Sequence, residues 1–168
     1  EVLKYFLNKK YINPFSVIAH MALGLLLVSI SFNSLLSTER ALNIKINEHE
    51  EYKDLKIYFE DIRVLNNSNN DSIKATFLIE DLDGKKFNLS PEKRRYFTRG
   101  QITTETAIHI MPLKDIYMTI GDQLDDGSWI VNIQINYLIR FIWFSAALMA
   151  FAGIMLVFSN KSKQAVSY

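Results

Sequence analysis

A single histidine stands near the start of a long apolar run, in the stretch SVIAHMALGLLLV at residues 16–28. An ionisable side chain at membrane depth is costly, and it is a functional hypothesis by default. In a helix, Ser16 and Gly24 lie one turn before and after His20, so little side-chain bulk covers that face. A flat macrocycle could lie there and reach the imidazole as an iron ligand. These residues leave an interhelical hydrogen bond and a proton relay open as alternatives.

The other two histidines occupy different settings. His49 lies among glutamates in NEHEEY, and His109 lies in TETAIHIMP, on a predicted strand. Neither is spaced from another histidine as metal ligands are. We expect His49 to be a solvated surface residue and His109 to be structural, with contact to a cofactor edge as the lesser alternative for His109.

A basic cluster follows in LSPEKRRYFTRG, and its members are Lys93, Arg94, Arg95 and Arg99. Arginine forks match carboxylates in bidentate geometry. The cluster could therefore hold anions such as heme propionates, anionic lipid headgroups or an acidic partner. The alternative is a solvated hairpin whose charges pair with Glu92 and nearby acids.

Composition excludes several classes of function. The chain contains no cysteine, which excludes disulfides, thiolate metal sites and a cysteine nucleophile within it. A formal net charge of +1 leaves no footprint for nucleic acid. No Ser/His/Asp arrangement, pair of catalytic carboxylates or phosphate-cradling glycine loop supports a hydrolase.

Two apolar runs, at residues 15–36 and 137–158, must position these groups. At ~1.5 Å per residue, each is long enough as a helix to cross a hydrocarbon core of about 30 Å. Lysines precede the first run and follow the second, so both ends should face the cytoplasm, or the matrix in an organelle. We predict a cytoplasmic flank at 1–11, a transmembrane helix at 12–36, an extracytoplasmic domain at 37–136, a transmembrane helix at 137–158 and a cytoplasmic tail at 159–168.

The middle segment alternates apolar and polar residues, as β-strands do. In WIVNIQINY, every second residue from Trp129 to Tyr137 is apolar or aromatic. Asp83-Gly84 and Asp126-Gly127 are typical of hairpin turns. We predict six or seven short strands and no helix here. The expected fold is therefore a membrane protein of the α plus β class, with two transmembrane helices framing a small antiparallel β-sandwich-like extracytoplasmic domain.

Five motifs then carry a resemblance, in the order AHMALGLLLVSI, LSPEKRRYF, TTETAI, LKDIYMTIGDQLDDGSW and LIRFIWFSAALMAFAGI. In this order and spacing the chain resembles the C-terminal part of the CcmF-type cytochrome c maturation proteins, the cytochrome c heme lyase family. The resemblance is weakest before residue 12 and between residues 40 and 85.

The resemblance implies a multi-pass protein of the bacterial inner (plasma) membrane, or of the mitochondrial inner membrane, that attaches heme to apocytochrome c. It implies as partners a heme chaperone, apocytochrome c, thiol-handling proteins and the remaining transmembrane part of the same lyase. Family members hold a heme b through two transmembrane histidines, and His20 matches the second of these within AHMALG. The resemblance thus implies that His20 is an axial ligand of heme b.

The departures from the family pattern are equally informative. The tryptophan-rich heme-binding segment, its two flanking histidines and the first transmembrane histidine have no counterpart; the two tryptophans, Trp129 and Trp143, lie elsewhere. We therefore expect the chain to be a truncation or a split-gene product that cannot catalyse ligation alone. The alternative is a two-span membrane scaffold without heme, whose β domain binds a partner protein; His20→Leu would then be neutral or stabilising.

Overall fold

The computed structural model describes residues 13–98 and 100–165, with the side chains described as far as residue 159. Two units are present, a helical unit built from both ends of the chain and a β unit at Ser37–Asn136. The predicted flank at 1–11, Arg99 of the basic cluster and the last three residues of the predicted tail lie outside the described residues.

Helix α1 spans Pro14–Leu36 and is long and apolar enough to cross a membrane. Its first turn is capped by Asn13, whose Oδ1 accepts a hydrogen bond from the Phe15 amide at 3.0 Å. Proline suits the first helical position. An amide hydrogen there would have no partner within the helix, and proline has no amide hydrogen. The Asn-Pro pair therefore sets where the helix begins.

Helix α2 spans Ile139–Ala165, and its apolar part is Ile139–Ser159. It begins two residues later than the predicted span because Leu138 has a φ of +54°, outside the helical region. The Asn33 amide donates to the Tyr137 carbonyl at 2.9 Å, next to this unusual residue. The helix continues past residue 158, since the polar residues that follow include neither glycine nor proline.

The two helices pack through small residues. Ala22 and Ser29 of α1 are buried, as are Ser145 and Ala152 of α2, and each pair is seven residues apart. In lipid, the hydrophobic effect does not drive helices together, so they associate by close packing. Small side chains allow the two backbones to approach each other. Both serine hydroxyls donate within their own helix, Ser29 to the Leu25 carbonyl at 2.8 Å and Ser145 to that of Phe141 at 2.6 Å.

The β unit is a sandwich of antiparallel strands, which confirms the predicted fold class. One sheet has four strands in the order β1-β10-β9-β8, and the other has six, in the order β2-β3-β4-β6-β7 with β5 also paired to β4. The strands within the described residues are β1 (Thr38–Ile44), β2 (His49–Tyr52), β3 (Leu55–Asn66), β4 (Asn70–Asp81), β5 (Lys86–Leu89), β6 (Glu92–Tyr96), β7 (Ile102–Glu105), β8 (Ala107–Ile110), β9 (Lys114–Gln123) and β10 (Trp129–Tyr137).

The core lies between the two sheets and is built from the alternating residues of the long strands. Phe59 of β3 stacks on Phe77 of β4 with ring centroids 4.5 Å apart, and neither ring is accessible. Val131, Ile133 and Ile135 of β10 contribute to the same core from the other sheet. Burial of one face of each sheet fixes the strand register, since a slip of one residue would expose these side chains.

Gly121 on β9 marks a close approach between neighbouring strands. A Cβ built there would lie 3.1 Å from Ile130 Cβ and 3.3 Å from the Ile130 carbonyl oxygen. We expect Gly121→Val to destabilise the β unit by about 1–3 kcal/mol, because overpacking forces the backbone apart. Thermal unfolding followed by circular dichroism would measure the loss. Thr119→Val, two residues earlier on the same strand, is the matched control, and an equal effect of both variants would contradict the steric explanation.

Candidate functional site

His20 makes a hydrogen bond within its own helix. Its Nδ1 lies 2.7 Å from the Ser16 carbonyl oxygen. A carbonyl only accepts hydrogen bonds, so Nδ1 carries the hydrogen and donates it. In the neutral ring, Nε2 then holds a lone pair, on a side chain that is exposed in the helical unit.

The exposed ring lies on the face of α1 turned away from α2. Ala22 and Ser29, the buried residues of α1, lie about 200° and 180° around the helix from His20. One turn on, Gly24 has open space where a Cβ would be, with no atom within 4 Å. In the described residues, His20 therefore makes no interhelical hydrogen bond with α2, and its face leaves room for a flat group.

This arrangement suits an imidazole that ligates a metal. Such a ligand needs a free lone pair on one nitrogen, and its other nitrogen usually donates to a carbonyl, a carboxylate or water. Across the described residues, no three His, Asp or Glu side chains come together as a metal site. His20 can thus supply one bond to a metal whose other ligands come from outside these residues.

The other two histidines are engaged within the β unit. The exposed His49 ring stacks on Tyr58 of the neighbouring strand, with centroids 5.4 Å apart. His109 of β8 stacks face to face on Phe87 of β5, with centroids 3.6 Å apart and ring planes within 8°. This stack joins the two sheets, and partial burial lowers the pKa of His109 because it disfavours the charged ring.

Arg94 of the basic cluster is held by acids on two strands. Its guanidinium donates to both carboxylate oxygens of Glu92, at 2.9 and 3.0 Å, and lies 3.6 Å from Glu105. The bidentate pair lowers the pKa of Glu92 and raises that of Arg94. Arg94 is therefore committed to partners within the protein.

Lys93 and Arg95 are also paired, but in contrasting surroundings. The Lys93 side chain is only 18% exposed, and it pairs with Asp122 of β9, which is 82% exposed. The Arg95 side chain is 63% exposed and lies 3.2 Å from Asp71 of β4. The three described cations thus form ion pairs of the kind that the solvated-hairpin alternative predicts.

Sequence reasoning missed a cavity of about 400 Å³ beside these cations. We call it the inter-sheet cavity, because its walls come from both sheets. Its wall includes Ile73, Lys93, Ile102, Asp122 and Trp129. The Trp129 indole nitrogen is buried and has no hydrogen-bond partner among the described residues. The alternating pattern of β10 predicts that Trp129 lies on the strand's apolar face, but it does not predict a gap between the two sheets.

Comparisons with known proteins agree on one family. The model of the family described as the CcmF C-terminal beta-sandwich matches residues 35–136. The chain is 30% identical over 152 residues to the cytochrome c-type biogenesis protein CcmF of Escherichia coli (strain K12). The matched stretch covers 90% of this chain and 23% of that protein. It is 28% identical over 145 residues to the CcmF of Pseudomonas fluorescens, covering 86% of this chain and 22% of that one.

A solved structure, that of the cytochrome c heme lyase CcmF, has the same fold. The TM-score is 0.67 at 14% sequence identity, over 83% of this chain and 23% of that one. This chain therefore spans less than a quarter of the length of each of these three proteins.

Proposed function

Since the chain belongs to the CcmF family of cytochrome c biogenesis proteins, we propose that it acts as the C-terminal portion of a cytochrome c heme lyase. In this role it contributes one axial ligand of a membrane heme b and an extracytoplasmic docking domain for heme transfer to apocytochrome c. The observation that carries the ligand assignment is the geometry of His20, whose Nδ1 is bonded to its own helix while the ring is exposed.

The residues around His20 fit a heme. A neutral imidazole with its Nδ1–H held by a carbonyl is the usual form of a histidine ligand. Gly24 leaves open space on the same face, where the edge of a macrocycle can approach. A second axial ligand would come from the remaining spans of the lyase. A heme held there would supply electron-transfer chemistry that could keep the delivered heme iron reduced.

Co-expression with the missing part of the lyase tests this function. We expect the chain alone to bind heme weakly or not at all, because one histidine supplies a single axial bond. Together with the upstream spans of a CcmF relative, it should give the spectrum of a six-coordinate, low-spin b-type heme. Absence of that spectrum from a stable, purified assembly would contradict the proposal and favour a two-span scaffold without heme.

We propose that the β unit faces the extracytoplasmic side, at residues 37–136, between transmembrane segments at 12–36 and 137–158. The flanks at 1–11 and 159–168 would then be cytoplasmic, as their lysines favour. The bacterial inner membrane is the proposed location, with the mitochondrial inner membrane as the organellar equivalent. On the extracytoplasmic side the β unit can meet a heme chaperone, apocytochrome c and its thiol-handling partners.

We propose that the basic cluster, Lys93, Arg94, Arg95 and Arg99, contacts an acidic group, chiefly through Arg95, because Arg94 is held by Glu92 and Glu105 and Lys93 is largely buried. Arg95 gives the cleanest test, since it is 63% exposed and its ion pair with Asp71 links two surface side chains. We expect Arg95→Glu to reduce cytochrome c maturation several-fold while the melting temperature stays within a few degrees of the parent.

Arg94→Gln serves as the contrasting variant. It removes a bidentate partner from Glu92, so we expect a lower melting temperature as well as lower activity. Normal maturation by the Arg95→Glu variant would remove Arg95 from the docking surface.

A further inference from the structure

We propose that the inter-sheet cavity binds a small organic anion that has an apolar body and a carboxylate paired with Lys93. The cavity measures about 400 Å³ and is lined by residues of both sheets. Sites for small molecules are concave, largely apolar, and about 300–1,000 Å³ in volume. All of its lining residues belong to the β unit, whereas His20 belongs to the helical unit, so binding here does not require heme.

Lys93 provides the charge for such a ligand. It is paired in register with Ile73 of β4, and both residues line the cavity. Its side chain is 18% exposed, whereas its partner Asp122 is 82% exposed. A carboxylate that is so exposed is weakly held, and a ligand carboxylate can replace it on the lysine without leaving a buried charge unpaired.

Trp129 provides aromatic surface in the same wall. This residue begins β10 and is 9% exposed, and it lines the cavity. Its indole nitrogen is itself inaccessible, so a ligand would contact the ring, and the indole signal would report occupancy of the cavity.

The remaining lining determines the class of ligand. Val64, Ile73 and Ile102 offer apolar surface, which suits a hydrocarbon or aromatic body. The charged lining residues are three cations, Lys93, Arg94 and Arg95, and two acids, Asp71 and Asp122. All three cations are paired within the β unit, so selectivity for an anion depends on Lys93, whose partner Asp122 is the most exposed of the acids that these cations contact.

Nitrogen-15 NMR of the two indole groups tests the proposal in the full chain in detergent. The probe is 4-phenylbutyrate, with 4-phenylbutanol and 4-phenylbutylamine as neutral and cationic analogues. We expect 4-phenylbutyrate to shift the Trp129 indole signal saturably and the amine to leave it in place. Trp143, on the exposed surface of α2, reports any partition of the probe into the micelle.

Two substitutions should change the affinity in opposite directions. Lys93→Gln should weaken binding of 4-phenylbutyrate about tenfold, because a charge-assisted hydrogen bond is lost. Asp122→Asn should tighten binding, since it removes the carboxylate that competes for Lys93. Lys56→Gln is the matched control, because Lys56 also forms an ion pair, with Glu51 at 3.2 Å, and does not line the cavity.

Three results would overturn the proposal. One is a Trp129 shift that grows without saturation or merely follows that of Trp143. Another is an equal response to the amine and the carboxylate. The third is unchanged or weaker binding by Asp122→Asn, a variant at a highly exposed position that does not depend on the folding of Lys93→Gln.

Discussion

Replacing His20 with alanine is expected to abolish the low-spin b-type heme spectrum of the assembled lyase, or to convert it to a five-coordinate spectrum. The physical reason is that in the proposed assembly the ring would provide one of the two iron ligands through Nε2, while its Nδ1 donates to the Ser16 carbonyl. Alanine has no atom that could replace that bond. Visible absorption of the purified assembly, at matched protein concentration, measures the loss.

Two controls separate ligation from general damage. His49→Ala and His109→Ala should leave the heme spectrum unchanged, because their rings stack on Tyr58 and Phe87 within the β unit. Added imidazole should partly restore the six-coordinate spectrum of the His20→Ala assembly by entering the vacated position. A normal low-spin spectrum in His20→Ala at normal protein level would refute the ligand assignment and leave packing as the role of the residue.

We expect cysteines introduced in the β unit to be labelled by a membrane-impermeant reagent, and cysteines introduced near the chain ends to remain almost unlabelled while the membrane is intact. Because the chain has no native cysteine, each variant carries a single reactive thiol. Ser68→Cys, at an exposed position between β3 and β4, should react with a membrane-impermeant maleimide in intact cells or spheroplasts. Lys161→Cys should react only after the membrane is opened, since the lysine flanks favour the cytoplasm.

The opposite labelling pattern would contradict the proposed orientation. If Ser68→Cys reacted only in opened membranes, the β unit would be cytoplasmic and could not meet apocytochrome c outside. Full labelling of both variants after detergent treatment is the control that each thiol is chemically accessible. The extracytoplasmic docking role depends on this result, whereas the heme-ligand assignment is tested by the spectrum of His20→Ala.

Local patterns in the sequence were sufficient to predict the positions of the two helices and of two turns. A long apolar run needs no distant partner to be recognised, and both helices lie where such runs occur. Gly84 and Gly127 adopt φ angles of +72° and +84° in the turns that the Asp-Gly pairs predict. Helix α2 begins two residues after the start of the apolar run at 137–158, because Leu138 has a positive φ that its side-chain type does not predict.

The number of strands was underestimated for a different reason. Six or seven strands were predicted, and the described residues form ten. Four of them, β2, β5, β7 and β8, contain four residues each, too few to show a clear alternation. Such short strands are defined by the neighbours they pair with, as Lys86–Leu89 is by Phe77–Glu80 of β4.

By itself, the sequence determined the two apolar helices, the antiparallel β class of the middle segment, the resemblance to CcmF proteins and the isolation of His20 in an apolar run. Only the tertiary structure decided what the charged side chains contact. Asp71, Glu105 and Asp122 reach the basic cluster from three other strands, and the inter-sheet cavity lies beside them. Apolar length and alternation are properties of neighbouring residues, whereas ion pairs and cavities depend on strand register and on how two sheets pack, which no local pattern specifies.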